Sequence, residues 1–332
     1  MSIVTIKADS SIPKYKQIVA SIEAAIVAGS LKKGDRLPSL NTIKTQHSLS
    51  RDTVLTAFNE LKTRGIIQSI VGKGYYVNSE DVEVNHKIFL LFDEFNSFKE
   101  DLYNSFLTSL GDHIQVDIFF HHFNQDMFAK LINDNAGDYS AYVIMPANLK
   151  DTAHIIKRLP EEKVYILDQT HPKLKHYPAI FQNFKKDIYQ GLEVAIDNIK
   201  RYKKLVLLYQ PARQPQGIKD GFKLFCRDHQ LENEVIDSFT NRIVSVGELY
   251  IVLDDKNLIR IIKHIKERGL TLAKDIGIIS YNDTLLKEIV EGGITTISTD
   301  FNLMGERLAE MILNKEFAQV ENPNRLIIRK SL

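Results

Sequence analysis

The sequence predicts an α/β protein in two parts: a small helical module closed by a hairpin, then a longer body of parallel sheets flanked by helices. Three observations predict it. Residues 37–77 hold two short helical patterns joined by a tight turn, then two strand-length runs around Gly72-Lys73-Gly74. From Lys87 onward, apolar runs of strand length alternate with helical stretches, the pattern of parallel sheets covered on both faces. The charge divides at the same place. Residues 1–79 carry 11 Lys+Arg against 5 Asp+Glu, and of the chain's 43 and 42 the remainder holds 32 and 37.

The elements follow in order. Tyr15, Ile18, Val19, Ile22, Ala25 and Ile26 recur at helical spacing over 13–29, with Pro13 inside the start and Gly29 just past the end. A second helix is expected over 39–47 behind Ser39, and a third over 50–64 behind Ser50, ended by Gly65. Strands at 66–70 and 75–77 flank the glycines, which permit the tight turn. The short polar segment 79–86 reads as a linker. Body strands are expected at 88–92, 116–120, 141–145, 164–167, 179–181, 205–209, 234–236, 249–253, 276–280 and 295–298, with helices between them such as 99–110, 188–199, 218–229, 258–268 and 303–313. That is too many strands for one such sheet. Two lobes are expected, one from 87–181 with 300–316, the other from 182–299 with 317–332.

Composition bounds the function. Hydrophobic residues make up 44% and charged residues 26% of 332, enough for large cores. The N-terminus lacks a signal-peptide pattern, no apolar run approaches the ~20 residues of a membrane span, and a single cysteine, Cys226, forbids a disulfide framework. A cytoplasmic protein is expected. No phosphate loop, zinc-protease, CxxC or nucleophile-elbow pattern occurs, so no enzyme, metal or cofactor is expected. Of His121 and His122, adjacent at a strand end, one is expected to be buried; Cys226 reads as core.

A helix-turn-helix followed by a wing fits DNA, the second helix entering the major groove by its first turn. That turn holds Ser50, Arg51, Asp52 and Thr53. Arg51 can fork two donors onto a guanine edge or a phosphate, and Ser50 and Thr53 can donate to phosphates. Ser39 and Lys44 join this expected surface, Lys62 is a further backbone contact, and Gly72 with Lys73 forms a wing tip able to reach a minor groove. A basic head on an acidic body suits such a role.

Residues 12–77 resemble the N-terminal domain of GntR-family bacterial transcription regulators. The resemblance rests on Pro13-x-Tyr15, Gly29-Ser30-Leu31-x-x-Gly34-Asp35-Arg36-Leu37-Pro38-Ser39, Leu49-Ser50-Arg51-x-Thr53-Val54, Leu61-x-x-x-Gly65-Ile66 and Gly72-x-Gly74-x-x-Val77. It implies that Arg51 contacts DNA. Asn41 and Leu55 stand where the family often has two further arginines. The body, 87–332, resembles the effector domain of the LacI/GalR family, which is built like a periplasmic sugar-binding protein. The clearest stretch is 272–301, LAKDIGIISYNDTLLKEIVEGGITTISTDF, with Met304-Gly305-Glu306 and Arg325 to Arg329 fitting the same template. A GntR head on such a body resembles the arabinose-repressor subgroup.

That resemblance implies a sugar held between the lobes at strand ends. The residues there are Asp93, Phe95 and Asn96 after the first body strand, Asn148 after the third, Asp168 and Gln169 after the fourth, Arg213, Asp254, and Asn282 with Asp283. Two departures stand out: Ile218 replaces an arginine expected three residues before Gly221-Phe222, and Asn282-Asp283 replaces an Asp-Asp pair. The expectation is a homodimeric DNA-binding repressor of carbohydrate utilisation that binds double-stranded operator DNA and is controlled by a monosaccharide or sugar phosphate. Two alternatives stay open: a sugar or nucleotide enzyme fused to a DNA-binding head, and a ligand-independent DNA-binding dimer.

Overall fold

The computed structural model describes residues 3–7, 12–82, 86–112, 114–240 and 242–332. The head begins with α1 (Lys14–Val27), entered from Pro13 and followed by Gly29 at φ +72°. The next two helices, α2 (Leu40–His47) and α3 (Arg51–Thr63), start at serine caps: Ser39 Oγ accepts from the Thr42 amide at 3.1 Å and Ser50 Oγ from the Thr53 amide at 3.0 Å. Between them Ser48 takes a left-handed turn, φ +49°. The wing is an antiparallel pair, β1 (Ile67–Ile70) and β2 (Gly74–Val77), turned at Gly72 and Gly74 with φ of +72° and +108°. One face of each helix builds the head core, where Ile18, Ile22, Ile43, Val54, Phe58, Leu61 and Val77 are fully buried.

The first lobe runs through β3 (His86–Phe92), α4 (Ser97–Leu110), β4 (Ile114–Phe120), α5 (Gln125–Asp134), β5 (Ala141–Ile144), α6 (Thr152–Ile156), β6 (Val164–Asp168) and β7 (Ala179–Phe181). The second runs through α7 (Phe184–Val194), α8 (Ile196–Ile199), β8 (Lys204–Leu208), α9 (Gln216–Asp228), β9 (Glu232–Ile236), β10 (Glu248–Val252), α10 (Asp255–Glu267), β11 (Ile276–Tyr281), α11 (Leu285–Ile289) and β12 (Thr295–Thr299). The chain then returns to lobe 1 with α12 (Phe301–Leu313) and β13 (Gln319–Glu321), and ends in lobe 2 with β14 (Asn324–Ile327).

Each lobe is a six-stranded sheet, ordered β13-β7-β6-β5-β3-β4 and β14-β12-β11-β10-β8-β9. All neighbours are parallel except β12 with β14. The central strands are apolar on both faces because helices cover both, and β10 and β11 are buried throughout. On one side of the first sheet α12 lies so close to α4 that a Cβ on Gly305 would stand 2.4 Å from the Leu102 carbonyl oxygen; only glycine fits there.

Three expectations need correction. Strand β13, within the 317–332 segment assigned to lobe 2, pairs with β7 of lobe 1. Neither β13 nor β14 is among the expected strands: β13 is a polar edge strand of three residues, and β14 is a four-residue edge strand that runs antiparallel to β12. Of the linker 79–86, residues 83–85 lie outside the described residues, and His86 already pairs with Ile114 in β3.

The lobes are joined by three crossings, at 182–183, 300 and 322–323, and the buried Asn322 ties them together. Its amide donates to the Phe181 carbonyl at 2.8 Å, and its side-chain Nδ2 donates to Thr299 Oγ1 at 2.8 Å and to the Asp300 carbonyl at 2.9 Å. The head docks on lobe 1 through Lys62, whose ammonium stands 2.5 Å from Asp138, and Arg64 Nη2 donates to the Val82 carbonyl at 2.8 Å. Among the described residues no helix is long and apolar enough to cross a membrane.

Candidate functional site

On the head, α3 buries Val54, Ala57, Phe58 and Leu61 and leaves Arg51, Asp52, Thr56 and Asn59 exposed. Arg51 is the N1 residue of α3 and forms no ion pair among the described residues. Lys44 and Lys73 are exposed, Lys73 beside Gly72 on the turn between β1 and β2. The caps alter the expected phosphate donors. Ser50 Oγ and Thr53 Oγ1 share a hydrogen bond at 2.8 Å, as Ser39 Oγ and Thr42 Oγ1 do at 2.7 Å, so one hydroxyl proton of each pair is already engaged. Lys62 is held by Asp138 rather than left free for DNA. Sequence reasoning passed over Arg36 as a contact. It is exposed and bridged to Tyr76 of the wing, with its Nε 3.6 Å from where a Cβ on Gly74 would stand.

Between the lobes a cavity of about 390 Å³ opens at the carboxyl ends of the strands, the position at which such sheets bind ligands. Seven of the ten residues expected there line it: Asp93, Asn96, Asp168, Gln169, Arg213, Asp254 and Asn282. Three do not. Phe95 turns outward, 60% exposed, with its ring edge-on to Phe120 at 6.0 Å. Asn148 reaches across the lobes, donating Nδ2 to the Gln214 carbonyl at 2.5 Å. Asp283 is claimed by Arg329, both of its oxygens standing 2.7 Å from the guanidinium; those bonds and one from Thr296 hold its carboxyl below the usual range against the opposing effect of burial.

The floor of the cavity is polar and crowded. Buried Asp93 pairs with buried Lys99. Asp168 sits at a left-handed φ of +70° and accepts from Gln182 Nε2 at 2.5 Å. Burial pushes its carboxyl up to about 6, with Asp93 adding to the rise and Lys99 opposing it. Beneath, His121 is the buried member of the histidine pair, its Nε2 3.0 Å from the Met145 carbonyl oxygen, and burial lowers its pKa. From lobe 2, Asp254 caps α10 and accepts from Asn257 Nδ2 at 2.8 Å. Lys287, buried in turn, donates to the carbonyls of Tyr281 and Asn282 at 2.8 and 2.7 Å, fixing the end of β11 that carries both residues to the cavity.

Three lining residues hold a buried polar atom without a hydrogen-bond partner: Tyr281 Oη, Asn282 Oδ1 and Gln182 Oε1. Leaving each unpaired costs about 1–3 kcal/mol, a cost that a bound molecule would offset. Gln182 belongs to the lobe 1 side and the other two to lobe 2. Aromatic faces are present in Phe98, Phe123 and Phe184, and Arg260 and Lys256 add cations on α10. Sequence reasoning missed Gln182, Tyr281, Asn257 and Arg260. Tyr281 reads as an apolar strand residue and Arg260 as the solvent face of a helix. Cys226 is core, its thiol pushed up to about 12 by burial.

Two family models match separate parts of the chain. Residues 14–77 match the family model of bacterial regulatory proteins, gntR family, and residues 200–332 that of a periplasmic binding protein-like domain. The arabinose metabolism transcriptional repressor of Geobacillus stearothermophilus is 23% identical over 98% of this chain and 97% of its own. The mannosyl-D-glycerate transport/metabolism system repressor MngR of Escherichia coli is 43% identical over 84 residues, 25% of this chain and 34% of that protein. Among solved structures, a dimeric Lac repressor superposes with a TM-score of 0.60 at 16% identity, covering 74% of this chain and 98% of that one. A LacI-family regulator CCPA of Weissella paramesenteroides with bound sucrose gives 0.61 at 16%, with the same coverage.

Proposed function

The chain belongs to the gntR family of bacterial regulatory proteins, and from that premise we propose that it is a transcriptional repressor of carbohydrate utilisation whose grip on operator DNA is set by a sugar held between its lobes. The observation that carries the reading is the polar cavity between the lobes, whose lining residues Tyr281, Asn282 and Gln182 each keep a buried side-chain polar atom without a partner. A molecule dense in hydroxyl groups satisfies such a set, since each hydroxyl both donates and accepts, and Phe98, Phe123 and Phe184 offer faces for its C–H edges. The volume falls within the ~300–1,000 Å³ of small-molecule sites. The effector is a monosaccharide or a sugar phosphate.

DNA is met by Arg51, Lys44 and the wing around Lys73, the protein acting as a homodimer on a two-fold operator. The dimeric Lac repressor neighbour supports that assembly. So does an apolar face on α11, where Leu285 and Ile289 are 80% and 75% exposed. Sugar binding favours one relative placement of the lobes, and the ligand acts only through its differential affinity for the two placements. The reading is of a binding protein, not an enzyme.

A melting scan against monosaccharides and their phosphates, followed by operator binding with and without the hit, tests the reading. A ligand at 100 times its dissociation constant stabilises by about 2.7 kcal/mol. A chain that binds operator DNA but is shifted by no carbohydrate would return the reading to a ligand-independent DNA-binding dimer.

A further inference from the structure

A second concavity lies on lobe 1, away from the crossing point of the lobes. It has a volume of about 700 Å³ and is walled by the β5–α6 loop with α6 and by the segment after β6: Asp151, Thr152, His154 and Lys157 on one side, His171, Lys173 and His176 on the other. Three of the chain's ten histidines and two lysines meet there, opposed in the lining by a single carboxylate, Asp151. Neither lysine stands within 4 Å of a carboxylate among the described residues. This basic spot lies on a body whose net charge is negative.

The site is built rather than a loose surface. Thr152 is 1% exposed, and its hydroxyl meets His171 Nε2 at 3.2 Å, which fixes that imidazole on the wall. Burial lowers the His171 pKa and the charge of Lys173 lowers it further, which favours the neutral imidazole as a hydrogen-bonding group beside that cation. The histidines line the concavity without gathering into a metal-binding group among the described residues, and the His176 ring packs on Tyr177 at 4.1 Å between centroids. Lysine and histidine donors converging in a concavity recognise a phosphate dianion through charge-assisted hydrogen bonds.

We propose that this concavity binds the phosphate of a small phosphorylated metabolite, or free phosphate, at a site separate from the cleft, held by Lys157, Lys173 and His171. The two sites share no lining residue, but one segment serves both: Asp168 of the cleft lies three residues before His171.

The test is titration calorimetry of the full chain with three probes: a hexose 6-phosphate, inorganic phosphate and the unphosphorylated hexose. Three proteins are compared: the natural sequence, the double variant Lys157→Ser/Lys173→Ser, and Arg260→Gln in the cleft. The expected result is that phosphate-bearing probes bind the natural protein and Arg260→Gln alike and lose at least tenfold in affinity to the double variant. Inorganic phosphate matching the hexose phosphate identifies free phosphate as the ligand; a hexose phosphate that binds while phosphate does not identifies the metabolite. Three results overturn the proposal: no binding of either phosphate probe, binding that survives in the double variant, or binding that Arg260→Gln alone abolishes, which would place the anion in the cleft. Because Lys157 and Lys173 are exposed, both substitutions leave the core untouched, and an unchanged melting temperature checks it.

Discussion

Arg213 Nη2 stands 3.2 Å from Glu94 Oε2, an ion pair whose two ends belong to different lobes. The same guanidinium lies 5.5 Å from the ring centroid of Phe123, again across the cleft. Arg213 is 59% exposed on its side chain, so the pair contributes only about 0.2–1 kcal/mol. Glu94→Gln is expected to weaken effector binding up to about fivefold at low salt. It should also flatten the salt dependence of binding, because an exposed pair is screened. Calorimetry at two ionic strengths checks both; a variant with the same salt dependence as the natural protein would remove the pair from the closing motion.

Arg51 forms no side-chain hydrogen bond or ion pair among the described residues. Arg51→Ala is expected to cost about 1–3 kcal/mol of operator binding while the melting temperature and the effector response stay as they were. Fluorescence anisotropy with operator DNA measures it, and an unaltered affinity would take Arg51 off the recognition surface.

Asp168 gives the cleft a pH signature. Its folded pKa, about 6, lies above the ~3.9 of an unfolded aspartate. Between those values the native state holds a proton that the unfolded chain has released, so this residue's contribution to stability is full below about pH 4 and is lost as pH rises to about 6. The loss is about 3 kcal/mol. Asp187, pushed up to about 7 by burial and by Glu321, extends the decline. Asp168→Asn should remove its own share, leaving the variant gaining on the natural protein as pH rises through that window, while its effector affinity falls. Parallel melting curves from pH 4 to 7 test the sign; a constant difference between the two proteins would contradict it.

The exposed apolar face of α11 is the surface proposed for the dimer contact. Leu285→Glu with Ile289→Glu is expected to shift the protein from dimer to monomer in sedimentation velocity and to weaken operator binding, because one head covers only one half-site. The monomer should still melt with effector stabilisation, since neither residue lines the cavity. Dimers persisting in the double variant would place the partner contact elsewhere.

Much of the cleft was legible in the sequence because parallel strands end at the ligand, which made Asp93, Asp168, Asp254 and Asn282 candidates by position alone. Position at a strand end does not say where a side chain points. Asp283, one residue past Asn282, is turned away by Arg329, 46 residues later, and Phe95 by Phe120. No local pattern carries those partners. Gln182 and Tyr281 escaped for the opposite reason: one follows a three-residue strand and the other ends an apolar run, and only the facing lobe makes either polar end matter. The head was more readable, since Ser39, Ser50, Gly72 and Gly74 are local demands of caps and turns. What it concealed was Lys62, whose partner Asp138 belongs to the body.

Asn322 stitches the three connecting strings of chain into one narrow waist. A molecule pinned at a single seam can swing like a book about its spine but cannot let one cover slide over the other. Whatever the cleft holds is thereby translated into one rotation. The head meets lobe 1 through Lys62, so under the proposed function a swing of the lobes would carry the recognition helix with lobe 1 and re-aim it relative to lobe 2.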